Sequence, residues 1–65
     1  MTDKTVHELG FYESFLKEKF TRVEFEMFSS FMSNQTVTYI DGECVYYFCD
    51  VRAFCFRYGI EYPTV

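Results

Sequence analysis

The segment "TVTYI-DG-ECVYYF", Thr36 to Phe48, constrains the fold of this chain more than any other. Two runs rich in β-branched and aromatic residues flank Asp41-Gly42, a pair suited to the positive φ angles of a two-residue hairpin turn. In that register Tyr39 faces Cys44 and Val37 faces Tyr46. One face then carries Val37, Tyr39, Cys44, Tyr46 and Phe48, and is expected to pack on helices. The other carries Thr36, Thr38, Ile40, Glu43, Val45 and Tyr47, less polar than a solvated face should be.

A helix is expected directly after the hairpin. Asp50 suits a cap, and Val51, Phe54, Cys55 and Tyr58 fall at i, i+3, i+4 and i+7, the spacing of a buried stripe. Gly59 suits the left-handed residue that ends a helix, and Pro63 bars further helix in the tail "IEYPTV".

Upstream, Thr5-Val-His-Glu8 has the form of a capping box. Leu9, Tyr12, Phe15, Leu16 and Phe20 recur at three- and four-residue spacing, which predicts a helix over 6–20 despite Gly10. Thr21-Arg-Val-Glu24 repeats the capping signature. The next stretch is ambiguous, because "RVEFEM" alternates like a strand. Over the longer window Val23, Phe25, Met27, Phe28, Phe31 and Met32 cover one broad arc, which favours helix over 22–32. The order is ααββα, an α+β fold in one small domain over 1–65.

Fifteen aromatic residues (nine Phe, six Tyr) in a chain of 65 are too many to hide in so small an interior. Some rings are therefore expected at the surface, scattered or gathered into a patch that meets a partner. A net charge of −4, with basic residues limited to Lys4, Lys17, Lys19, Arg22, Arg52 and Arg57, argues against nucleic-acid binding. The first ten residues contain no apolar stretch of the kind found in a signal peptide, and no run is long enough to span a bilayer. A cytoplasmic location with reduced thiols is the expectation, with no membrane association.

Cys44, Cys49 and Cys55 lack the short pair spacing of structural zinc sites, and the one histidine, His7, is distant in sequence. No metal and no cofactor are expected. Glu24/Glu26 and Asp41/Glu43 each fit a cap, a polar face or a turn, and the three glycines are isolated. Nothing supplies a nucleophile with its base, so the chain is expected not to be an enzyme.

Two surfaces remain. The outer face of the last helix carries Arg52, Phe56 and Arg57, a composition suited to partner binding. The outer face of the hairpin carries Ile40, Val45 and Tyr47, expected to mediate self-association as a homodimer. The order Ile40-Asp41-Gly42-Glu43, Tyr47-Phe48, Asp50-Val51 resembles the N-terminal hairpin-and-helix of Bro-N domains of viral and phage proteins. That resemblance covers about twenty of the 65 residues, and the chain lacks the basic charge of such a DNA binder. Any hairpin running into a capped helix shares it, so it assigns no family.

The functional expectation is a protein-binding domain acting as a stoichiometric inhibitor or adaptor, by analogy of type with phage proteins that block a host enzyme or defence complex. Two alternatives stand beside it. One is a dimeric DNA-binding transcriptional regulator with Arg52 and Arg57 on phosphates or bases. The other is an antitoxin-like subunit whose acidic face neutralises a basic partner.

Overall fold

The computed structural model describes residues 5–64. Strand β1 (Gly10–Tyr12) leads without a break into helix α1 (Glu13–Lys19), followed by α2 (Arg22–Phe31) and a 3-10 turn at Met32–Asn34. Strands β2 (Thr38–Ile40) and β3 (Glu43–Tyr47) come next, and α3 (Phe48–Tyr58) closes the order. The expected ααββα succession is present, with a strand in front of it. The sheet is antiparallel in the order β1-β3-β2, so β3 is central.

The hairpin forms in the expected register, Tyr39 opposite Cys44, and both turn residues have positive φ, 54° at Asp41 and 78° at Gly42. Its first strand is shorter than expected, three residues at the sheet edge. Tyr39, expected in the core, is 71% exposed on this edge strand.

The first helix differs most from expectation. Gly10 lies against β3, where a Cβ would collide with the Tyr46 carbonyl oxygen, so only glycine permits this approach. Residues 10–12 pair with Tyr47, Tyr46 and Val45 instead of continuing a helix. Thr5 and Glu8 form no capping box. The Tyr12 amide donates to the Thr5 carbonyl at 3.1 Å, the His7 amide to the Gly10 carbonyl at 2.8 Å, and the Leu9 amide to His7 Nδ1 at 3.2 Å. Leu9 is accordingly exposed, whereas Phe15, Leu16 and Phe20 are buried as the periodicity requires.

Helix α2 resolves the strand-or-helix ambiguity in favour of helix. Thr21 Oγ1 accepts from the Glu24 amide at 3.1 Å, and Glu24 Oε1 accepts from the Thr21 amide at 2.9 Å, a complete capping box. Its apolar arc is wider than the contact it makes. Phe28 is fully buried, with Met32 buried beyond the helix end, while Val23 remains 65% exposed.

One face of the sheet supplies Phe11, Cys44 and Tyr46 to a core completed by Phe15, Leu16, Phe20, Phe28, Met32, Val51, Phe54 and Cys55. Phe28 and Phe54 are its centre. Their ring centroids lie 5.1 Å apart at 71°, and each also contacts Phe20 at 5.7 Å. Tilted and edge-on pairs of this kind add to the burial of the rings themselves.

Candidate docking surface

Helix α3 positions the candidate site. Its inward stripe is Val51, Phe54 and Cys55, all buried, which forces Cys49, Arg52, Ala53 and Phe56 outward. The helix begins at Phe48, two residues before the expected Asp50 cap, with Tyr47 as an N-cap that makes no side-chain bond. Asp50 sits in the first turn, where a negative charge opposes the positive end of the helix dipole. Tyr58, expected in the buried stripe, contacts the Phe54 ring at 5.0 Å but remains 44% exposed in the last turn.

Gly59 ends the helix at φ 66°, and the Ile60 amide donates to the Cys55 carbonyl at 2.9 Å, the six-to-one bond of a Schellman stop. This reversal folds the tail back beside the helix. Ile60 packs against the core, and the Tyr62 ring meets Phe11 edge-on at 5.6 Å. The Cys55 thiol reaches the Glu61 carbonyl at 3.8 Å, and Pro63 is buried.

Between helix and tail runs a solvent-open groove of about 980 Å³. Phe48, Cys55 and Ile60 contribute its more buried lining; Cys49, Arg52, Ala53, Phe56 and Tyr62 contribute the exposed part. Phe56 is 89% exposed. The other eight phenylalanines are buried or half-buried, so this ring stands apart from its kind. It does not pack beneath the tail, because Tyr62 is engaged with Phe11.

The described cations differ in what they meet. Lys17 lies over the Phe25 ring at 5.7 Å, Lys19 over Phe15 at 5.5 Å, and Arg57 over Tyr58 at 5.7 Å. Arg22 pairs with Glu26 at 3.6 Å. Arg52 has no described carboxylate within ion-pair reach, and it alone brings a formal charge to the groove lining. Burial and the Cys55 thiol raise the Tyr62 phenol above its ordinary pKa, and the nearby Arg52 charge pulls it back.

Of the three residues expected to bind a partner, the structure brings Arg52 and Phe56 into one groove. Arg57 lies outside its lining, turned toward Tyr58. The tail residues Ile60 and Tyr62 and the exposed Cys49 complete the site and were missed from the sequence. The signal for the tail was present: an apolar residue directly after a helix-ending glycine commonly packs back on the last turn.

The expected self-association face needs correction at Val45. This residue is fully buried, flanked on the central strand by Tyr12 on β1 and Thr38 on β2. Ile40 and Tyr47 remain half-buried. Val45 offers no surface to a second copy.

Several of the other polar groups have local partners. Glu43 Oε2 accepts from the Ser14 hydroxyl at 2.6 Å and the Ser14 amide at 3.1 Å, fastening the start of α1 to the sheet. The Tyr46 hydroxyl donates to Glu13 at 3.4 Å, and its pKa is raised chiefly by burial and then by its hydrogen bond with Cys44. Burial likewise raises the Cys44 and Cys55 thiols, while Cys49 is exposed. Among the described residues no three His, Cys, Asp or Glu side chains converge on a point where a metal could sit. His7 lies edge-on to Tyr12 at 6.1 Å. No described helix is long and apolar enough to cross a membrane.

No family model matches the chain, and no curated protein and no solved structure matches it.

Proposed function

We propose that this chain is a non-enzymatic protein-binding domain that acts as a stoichiometric inhibitor or adaptor, docking through the groove between α3 and the tail. One observation carries the reading. A chain that buries or half-buries eight phenylalanines leaves the ninth, Phe56, 89% exposed beside an apolar groove. Leaving a phenyl ring in water forgoes about 1.5–3 kcal/mol of burial, a sizeable sum for a domain of this size. A partner that covers the ring recovers it, and aromatic residues with Arg are the side chains that concentrate binding energy at interfaces. Three free thiols, two of them buried, suit a reducing, cytoplasmic setting.

The test is affinity capture from the cells that make the protein, using wild-type chain and Phe56→Ser. The expected outcome is a protein retained at a one-to-one ratio by wild type and lost by the variant, with both chains showing the same circular dichroism. Retention by both would remove Phe56 from the interface. A retained nucleic acid, released steeply as salt rises, would instead support the DNA-binding alternative.

A further inference from the structure

The identity of the residues around the groove narrows what can fill it. We infer that its occupant is an acidic–apolar peptide segment of a partner protein: one large apolar side chain seated between Phe56 and Tyr62, with a carboxylate close in sequence meeting Arg52. This assignment rests on the docking reading above and adds the chemistry of the partner to it.

Charge complementarity carries it. The described cations other than Arg52 each contact a ring or a carboxylate within the chain, and Arg52 has no described carboxylate to meet. Arg52 lines a groove whose other residues bring two phenyl rings, the Tyr62 phenol, aliphatic groups and thiols. A planar guanidinium in such a place holds one carboxylate through two parallel hydrogen bonds. A phosphate group is usually met by several arginines together, and only one is present in this lining. The net charge of −4 opposes an acidic partner at long range, but salt screens that field beyond about 8–10 Å. Arg52 acts inside that distance. A basic apolar segment would meet Arg52 unpaired, and like charges brought together at an interface are disfavoured.

The shape of the groove points the same way. It is open to solvent rather than enclosed, so it can accept side chains from a continuous chain. An apolar lining with one charged residue suits an apolar side chain with a carboxylate near it.

The experiment selects a phage-displayed random peptide library against the purified chain, in parallel with Arg52→Glu and Phe56→Ser, and follows self-association by sedimentation. Both substituted residues are exposed, so the variants should keep the wild-type fold, and circular dichroism checks this. Wild type is expected to enrich peptides in which a large apolar residue is flanked by Asp or Glu. Arg52→Glu should weaken those peptides about tenfold or more and enrich Lys or Arg in their place. Phe56→Ser should enrich nothing in common with wild type. Peptides that need Phe56 but show no acidic preference would overturn the carboxylate assignment and leave the docking groove standing. Absence of any Phe56-dependent peptide, with the wild type a monomer, would overturn both. A Phe56-dependent dimer that enriches no peptide would make a second copy the occupant. Phe56-dependent binding to vesicles of phosphatidylserine and phosphatidylcholine would make it a membrane. Either of these last two results overturns the peptide.

Discussion

Gly10 and Phe54 show how differently single residues can be read. Phe54 was legible, because a stripe at i, i+3 and i+4 ahead of a helix-ending glycine has one geometric meaning. It contacts Phe20, Phe28, Phe31 and Tyr58 and is fully buried. Phe54→Ala should cost about 3–5 kcal/mol and leave the chain largely unfolded, seen as lost circular dichroism. An unchanged melting temperature would remove it from the core. Gly10 was misread as a weak point in a helix. A glycine within an apolar pattern also marks close backbone approach, and that meaning applies here because β3 lies against it. Gly10→Ala should destabilise by about 1–3 kcal/mol, through overpacking against the Tyr46 carbonyl. Hydrogen exchange should show the loss concentrated in the β1–β3 amides. Wild-type protection of those amides would contradict the pairing.

At the scale of elements, the features fixed by local chemistry were legible and those fixed by distant partners were not. The Thr21–Glu24 box and the Asp41-Gly42 turn each depend on a few adjacent residues, and both form as read. Thr21→Ala should lower stability by about 1 kcal/mol, measured by urea unfolding, since it removes one reciprocal cap. A loss below about 0.3 kcal/mol would mean that tertiary packing, not the cap, holds the start of α2. Strand β1 is different. It is three residues long, and its existence depends on pairing with residues more than thirty positions away. Apolar spacing at Tyr12, Phe15 and Leu16 looks the same whether Tyr12 belongs to a helix or ends a strand. The same ambiguity placed Val45 on a free surface. The hairpin alone does not show that it is buried, since β1, which flanks it, comes from a distant part of the sequence.

For the molecule as a whole, burial of neutral acids predicts sensitivity to alkali. The Cys44 and Cys55 thiols, ordinarily at 9.0, and the Tyr46 phenol, ordinarily at 10.0, are all raised by burial in the fold. Below about pH 8 these groups hold their protons in both folded and unfolded chains, and their contribution is constant. As pH rises past the ordinary values, the unfolded chain ionises first and binds fewer protons, so stability falls. Melting temperature should be level between about pH 6.5 and 8 with respect to these groups and decline above about pH 8. A melting temperature that rises over the alkaline range would contradict their burial. The same economy of burial explains the site. Arg52 and Phe56 were legible because a helix whose inner stripe is fixed must turn its other residues outward. The groove itself was not, since it exists only where the tail returns beside the helix.

Whether Phe56 is held out of the core to meet a partner is tested most directly by site-specific photo-crosslinking. A benzoylphenylalanine placed at position 56, and in a separate chain at the exposed Val23 of α2, should be irradiated in the cells that make the protein. One dominant crosslinked protein is expected at position 56, diminished by Arg52→Glu, and none of comparable yield at position 23. Equal crosslinking at both positions, or none at 56, would contradict a docking role for Phe56.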